Sequence, residues 1–441
     1  MGGWTCAMVR AIRATPHSRP VASSGPDGSV PPRTMTVPTA HPQTARRIRP
    51  AWTLRDVLGA GVAYLPRRSP NLLGWSPPLP GQLDFQGGLA VGIAGGAPYA
   101  ASSGTATPAI LAVLADGGLP CDADLRLYRS TGDYLDLLRR LRAEGLRLST
   151  QRVHPVSEAP SAECTVPTDL QEALNDKGRM SEWVPEGWLP PRRVLATAEL
   201  PAAADLLRGG APVVLKAATP RPSGGGHCVW ICRTTADVEQ ARAALVSEQR
   251  VVVETFLPLA RTVCVHANVF PDGRTEVAGT AEEVVDASGR YRGNWIDAAG
   301  GDVPAAVLAV VRDIAAAGAA RGYRGIAGVD VAFPVDGPPR VLDLNFRING
   351  STAAVWLRAS IENVRGARTI RSKAWSGPPD FAALERAVRR AIDRGTLVPL
   401  GLYDPSACGT GGVPRVGGLL LGNSREEVEA EDRRLAADGL V

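Results

Sequence analysis

Apolar and polar positions alternate in two runs late in the chain, Gly328–Phe333 and Arg340–Phe346. Each has the period of a strand, and the Pro/Gly-rich stretch Pro334–Pro339 between them predicts the turn of a hairpin. Asp330 interrupts the first run. Asp343, Asn345 and Arg347 interrupt or follow the second at spacings of two, so the pleat places these three on one face. A buried strand does not carry three polar groups on one face without partners for them. Hard oxygen donors from adjacent strands, with a cation beside them, suit Mg²⁺ carrying a polyphosphate. The hairpin therefore predicts a metal–nucleotide site.

Upstream, from Trp52 to Pro155, strand-like and helix-like runs alternate. Gly61–Leu65, Leu89–Ile93, Leu125–Tyr128 and Leu148–Val153 read as strands. Pro108–Leu114, with Thr107 as its cap and Pro at the first position, and the amphipathic Tyr134–Leu146 read as helices. This alternation predicts a small α/β domain with a largely parallel sheet. No charged residue occurs from Phe85 to Ala115, but Pro98, Pro108 and many Gly and Ser exclude a membrane span. Gly92, Gly95 and Gly96 follow a predicted strand at a spacing that fails the dinucleotide fingerprint.

Thr168–Trp183 then reads as a helix containing Asp176, Lys177 and Arg179. Strands are predicted at Val213–Ala217 and Cys228–Cys232 around a Gly-rich turn, at Val251–Phe256 and Val263–Phe270, and from Glu276 to about Val285. Helices are predicted near Asp237–Val246 and over the Ala-rich Val303–Arg321. This is an α+β arrangement with antiparallel pairs. Beyond Trp356 the chain is Arg-rich, then helical over Phe381–Arg394. It closes with a strand, Arg415–Leu421, and a helix opened by Ser424 with Glu427 as its capping box. The expected organisation is a disordered tail (1–50), an α/β domain (51–165), a two-subdomain core (166–360) and a small C-terminal domain or lid (361–441), with no internal repeat.

Composition narrows the function classes. The 441 residues accommodate two or three domains. Net charge is +5, but the first fifty residues hold seven Arg and one acid, which leaves the rest of the chain close to neutral. That distribution argues against a nucleic-acid-binding surface. The tail, rich in Pro, Ser, Thr and Arg, resembles a transit peptide in composition but lacks the apolar core of a secretion signal. Met35 is an alternative start. Seven Cys without CxxC pairs and only five His argue against a zinc cluster or a disulfide framework, and predict a reducing, cytoplasmic setting. Of 49 basic residues only three are Lys: Lys177, Lys216 and Lys373. A retained Lys in so Arg-biased a chain points to a need for a compact ammonium, or to chance.

Lys216 ends a predicted strand, and Ser223, Gly224, Gly225 and Gly226 follow in one short loop. Glycines let backbone N–H groups approach phosphate oxygens, and a Lys on the adjoining strand neutralises them. No Gly-Lys-Ser/Thr follows, so this is not a Walker A loop. Lys177 is a second candidate phosphate ligand from a different element. Glu254 ends an apolar run before the loop Leu257–Ala260, where backbone groups and a carboxylate can meet a purine amino group.

The order of these features, from about 166 to 357, resembles the ATP-grasp superfamily. The resemblance implies a nucleotide held between two α+β subdomains. It implies that Lys177 and Lys216 contact phosphate, and that Ser223–Gly226 closes over the triphosphate. It further implies that Glu254, with the backbone of Thr255, Phe256 and Leu257, forms the adenine hinge. Asp330, Asp343 and Asn345 would be the metal ligands, and Arg347 would face an acyl-phosphate. Three positions depart from the pattern: Asp343 replaces the usual Glu, Arg261 stands where a ribose-binding acid is frequent, and Phe346 stands where the pattern often has another residue. A looser resemblance, through RTVCVHANVFPDG and the closing GGLLLGNSREEVEA, is to pheganomycin-type peptide ligases of natural-product pathways.

The resemblance implies an ATP-dependent carboxylate–amine ligase that forms a C–N bond through an acyl-phosphate and releases ADP and phosphate. Its cofactors would be ATP and Mg²⁺, with Mn²⁺ as an alternative, and Arg347 and Lys216 would be the catalytic residues. The partners would be a small-molecule carboxylate and an amine, amino acid or peptide, with neither nucleic acid nor membrane; a homodimer is the one assembly kept in view. A non-catalytic ATP-binding partner subunit and an ATP-grasp phosphotransferase are the alternatives. Arg292, Trp295 and Arg324 are candidates for an acceptor pocket.

Overall fold

The computed structural model describes residues 47–72, 79–219, 228–286, 289–297, 303–409 and 411–441. The expected disordered tail, up to residue 46, and the loop Ser223–Gly226 lie outside the described residues.

Three sheets follow one another along the chain. The first comprises β1 (Val62–Leu65), β2 (Pro98–Ser102), β3 (Asp124–Tyr128) and β4 (Arg147–Thr150), in the order β3-β2-β1-β4 with every pair parallel. This is the expected α/β layer. One predicted strand is absent: Leu89–Ile93 follows a helix, Gln82–Gly88, and its Val91–Ile93 forms a 3₁₀ turn. A short apolar run does not distinguish a buried strand from a buried turn. Val91 and Ile93 are buried in the core either way. Gly95 and Gly96, at φ 62° and 74°, then reverse the chain into β2. Thr107 does cap the helix Pro108–Asp116, accepting from the Ile110 N–H.

The second sheet holds β5 (Arg192–Ala196), β6 (Val213–Ala217), β7 (Val229–Cys232) and β8 (Arg250–Thr255), antiparallel in the order β5-β8-β6-β7. One face packs its own core, with Leu215, Cys232, Val251 and Val253 beneath the helix Thr235–Leu245.

The third sheet has eight antiparallel strands: β9 (Leu259–Val269), β10 (Thr275–Val285), β11 (Tyr291–Asp297), β12 (Gly325–Pro334), β13 (Arg340–Asn345), β14 (Thr369–Ser376), β15 (Leu397–Tyr403) and β16 (Arg415–Gly422). Their order is β13-β12-β9-β10-β11-β14-β16-β15. The predicted hairpin is β12–β13, with Asp330 opposite Asp343 and Gly328 opposite Asn345. The last three strands come from the segment expected as a small C-terminal domain; they extend the same sheet, β14 pairing with β11. Two of them escape the pattern for local reasons. In β14, Arg371 and Lys373 break the apolar run, and β15 contains Pro399 and a register shift before Gly401.

On β9, Val263, Val265, Ala267 and Val269 face the helix Ala305–Ala320, while Cys264, His266 and Asn268 occupy the opposite face. Residues directly opposite in antiparallel strands share a face. Asp343, Asp330 and Cys264 therefore lie in one row. Beyond Ala281, which pairs with Cys264, the row continues through Glu283, Asn294 and Ser372. A polar track thus crosses six strands of an otherwise apolar sheet. Gly293 allows β14 to approach closely near its far end: its φ is +107°, and a Cβ there would stand 1.9 Å from the Ser372 carbonyl oxygen.

Candidate active site

The predicted helix Thr168–Trp183 is broken at its chemically active point. Its α-helix ends at Asn175, Asp176 adopts an extended backbone, and a 3₁₀ segment runs from Lys177 to Glu182. Asn and Asp side chains compete for backbone donors, and the Asp176 carboxylate accepts from the Gly178 N–H at 2.8 Å. Lys177 therefore opens a turn instead of lying in mid-helix. Its ammonium pairs with the Asp343 carboxylate. Burial alone would lower the Lys177 pKa, but Asp343 more than offsets this and raises it.

Lys216 ends β6 as expected, and its ammonium is 2.5 Å from Glu254 Oε2 and donates to the Leu342 carbonyl at 3.1 Å. It thus spans from the second sheet to β13. Glu254, on β8, is almost fully buried and has a second cation, Arg192 on β5, whose Nη1 lies 3.2 Å from Oε1. Phe256, Leu257 and Pro258 are the whole connection between β8 and β9, so the expected adenine hinge is physically the joint between two sheets. The face that carries Lys216, Glu254 and Arg192 also presents Val194, Val214, Val252 and Ile231. Val194 and Ile231 are more than a third exposed, an apolar surface of the kind that a flat aromatic base would cover.

Asp330, Asp343 and Asn345 converge as the sequence predicts. The Asn345 amide donates to Asp330 Oδ2 at 2.8 Å. Burial and then the neighbouring Asp343 push the Asp330 carboxyl up to about 6. Burial raises Asp343 as well, but Lys177 overrides it and holds that carboxyl below its usual range. Two half-buried carboxylates beside an amide form a hard oxygen donor set that suits Mg²⁺. Among the described residues no group of three or more His, Cys, Asp or Glu is placed to hold an ion, so the Asn is needed to complete the set.

Arg347 is locked from two sides. Asn175 Oδ1 accepts from its Nη1 at 2.5 Å, and the Asn345 amide oxygen accepts from Nη2. The same Asn175 oxygen accepts from the Phe346 N–H, which ties the helix end to the segment just after β13.

Sequence reasoning missed Asn175, Arg192 and Glu283. The Glu283 carboxylate, on the polar track, has no hydrogen-bond or ion-pair partner among the described residues, although its backbone pairs with Asn294. Burial, then Asp330 and Asp343, push its carboxyl up to about 9. Tyr291 stands near it, and its hydroxyl donates to Asn294 Oδ1. The available signal was the strand period: Glu283 shares a face with Ala281, opposite Cys264. The proposed acceptor trio does not converge. Trp295 faces away from the track, between the Arg371 and Arg425 guanidiniums at 4.9 and 5.2 Å. Arg292 pairs with Asp286 at 2.8 Å, and Arg324 donates to the Pro271, Ala319 and Tyr323 carbonyls. Arg261, at the expected ribose position, stacks over Phe333 at 4.7 Å.

Two α+β sheets joined by a short hinge, with two lysines and an Asp/Asp/Asn/Arg set between them, define an ATP-grasp architecture, and the chain belongs to the ATP-grasp superfamily. Within it, residues 190–345 match the family model described as L-aspartate–L-methionine ligase, ATP grasp. Residues 53–172 match that of the L-aspartate–L-methionine ligase N-terminal domain. Among solved structures, phosphoribosylamine–glycine ligase from Thermotoga maritima is similar in fold. It is 13% identical with a TM-score of 0.50, over 86% of this chain and 98% of that one. The L-amino acid ligase from Bacillus licheniformis matches at 14% identity and a TM-score of 0.47, over 86% and 98%. N5-carboxyaminoimidazole synthetase from Staphylococcus aureus, complexed with ADP, matches at 12% and 0.48, over 72% and 87%. No helix among the described residues is long and apolar enough to cross a membrane.

Proposed function

We propose that this ATP-grasp protein is an ADP-forming ligase that joins the carboxylate of one amino acid to the amine of another through an acyl-phosphate. The observation that supports it most directly is the convergence of Lys177, Lys216, Asp330, Asp343, Asn345 and Arg347 where the two sheets meet. The match to L-aspartate–L-methionine ligases supports amino acids as the substrate class.

Phosphoryl transfer needs positioning and charge neutralisation more than covalent catalysis. Lys177 and Lys216 supply two ammoniums that reach phosphate oxygens by leaving Asp343 and Glu254. Asp330, Asp343 and Asn345 would hold Mg²⁺, which neutralises phosphate charge when bound. Arg347, fixed by Asn175 and Asn345, is pre-aimed to stabilise the oxyanion formed as the amine attacks. Glu283, whose carboxyl lacks a partner, is suited to receive the ammonium of the incoming amino acid on the polar track.

The test is to incubate the protein with MgATP and pairs of amino acids, L-aspartate with L-methionine first, and to follow ADP, phosphate and product mass. Equal amounts of ADP, phosphate and a condensed dipeptide are expected. AMP with pyrophosphate, or phosphate transfer to an acceptor without condensation, would refute the reading.

A further inference from the structure

Arg192 touches neither metal-ligand strand, yet it stands behind both phosphate lysines. Its Nη1 faces Glu254 Oε1 at 3.2 Å, held by charge and not by an aligned hydrogen bond. Its Nη2 donates to the Lys177 backbone carbonyl, and Nη1 also lies 3.5 Å from the Met180 sulfur. Only 9% of the side chain is exposed, against 2% for Glu254 and 7% for Lys216. One carboxylate with almost no access to water is thus shared by two cations.

That sharing creates a problem when nucleotide arrives. An incoming phosphate draws the Lys216 ammonium, two of whose three donors serve Glu254 and the Leu342 carbonyl, away from Glu254, and a carboxylate so buried is strongly unfavourable without a counter-charge. It would also repel an incoming polyphosphate. We infer that Arg192 is a positioning residue for the nucleotide: it remains as the counter-ion of Glu254 and so releases Lys216 to the phosphates. A guanidinium suits the task because it stays charged when buried, and its planar fork binds two groups at once. The second of those groups is the backbone of Lys177, so the same side chain anchors the turn from which the other lysine reaches. The inference rests on the ATP-ligase reading above and deepens it.

A double-mutant cycle on nucleotide binding tests it without knowledge of the acid and amine. The dissociation constant of the non-hydrolysable analogue AMP-PNP with Mg²⁺ is measured by calorimetry for wild type, Arg192→Met, Glu254→Gln and the double variant. Thermal melting confirms that each is folded. Arg192→Met should weaken binding about tenfold or more, and in the Glu254→Gln background the same change should cost less than about threefold. Arg192→Lys, which keeps the charge but not the fork, should recover part of the lost affinity and also serves if Arg192→Met fails to fold. An equal loss in both backgrounds, or no recovery by Lys, overturns the inference while leaving the ligase reading intact. Failure of wild type to bind the analogue overturns both.

Discussion

Replacing His266 by Gln should flatten the acid limb of the stability curve. His266 is fully buried on β9, between Gly328 of β12 and Gly279 of β10. Its Nε2 is 2.9 Å from Ser351 Oγ, and that hydroxyl donates to Asn349 Oδ1 at 3.2 Å. The serine proton being committed, imidazole Nε2–H is the donor, and Nδ1 is left as a bare lone pair with no partner. A buried acceptor without a partner is tolerable; a second buried N–H with nothing to receive it is not. Burial accordingly lowers the His266 pKa to about 4. The unfolded value is about 6.5, so the unfolded chain binds the extra proton first as pH falls. Stability from this group is intact above pH ~6.5 and is lost progressively towards pH ~4. At ~1.4 kcal/mol per unit, the loss is about 3 kcal/mol. That is a large share of the ~5–15 kcal/mol that holds a typical protein folded. Urea unfolding of wild type and His266→Gln across pH 4 to 8 measures it. The wild-type curve should fall by about 3 kcal/mol relative to the variant on the acid side. Parallel curves would show that the imidazole is not buried neutral and would refute the tautomer assignment.

Lys216→Ala and Asp343→Ala should each cut ATP turnover by ~10²-fold or more, read as ADP release, and Lys216→Arg should also impair it because the two cations differ in shape. The Asp330 carboxyl, raised to about 6, must lose its proton before it can ligate a metal, so stability and metal affinity change in opposite senses. Its raised pKa favours the folded state at low pH and that contribution fades as pH rises towards 6, whereas apparent Mn²⁺ affinity, followed by electron paramagnetic resonance, should fall about tenfold per unit below pH 6. Gly293→Ala places a Cβ 1.9 Å from the Ser372 carbonyl oxygen and should unfold the β11–β14 junction, lowering the thermal midpoint far more than Gly145→Ala. Gly145, at φ +78° with no atom within 4 Å of its Cβ position, pays only the left-handed backbone cost of about 1–2 kcal/mol.

The parts of the site legible in the sequence project from regular elements at regular spacing. Asp330, Asp343 and Asn345 stand out because a strand period places polar groups where apolar ones belong, and the hairpin turn between them fixes their register. Lys216 is legible for the same reason, as the polar end of an apolar strand. Lys177 stands out by its rarity, but the break that sets it does not show in the pattern. A helical pattern continues through it, and only the backbone-seeking side chains of Asn175 and Asp176 hint at the break. The parallel order of the first sheet followed from the alternation of elements, whereas the joining of β14, β15 and β16 to the core sheet did not. That joining depends on β11, a strand broken by Gly293 and flanked by polar residues, and no local pattern announces it.

What the sequence withheld is charge pairing over distance. Arg192 and Glu254 are 62 positions apart, and Lys177 and Asp343 are 166 apart. Neither pair is visible until the sheets are in register. The consequence is functional as well as structural. Lys177 and Lys216, the proposed phosphate ligands, are each paired with a carboxylate, and one of these, Asp343, is a proposed metal ligand. A cation held by Asp343 would release Lys177, because the carboxylate would no longer need the ammonium. A polyanion held by Lys177 would conversely strip Asp343 of its counter-charge and raise its attraction for a cation. The two ligands would therefore favour each other through a single ion pair, and by linkage that coupling would be reciprocal. Nucleotide should tighten Mn²⁺ binding by the same factor as Mn²⁺ tightens nucleotide, and Lys177→Met should reduce that factor while leaving each ligand's separate binding measurable.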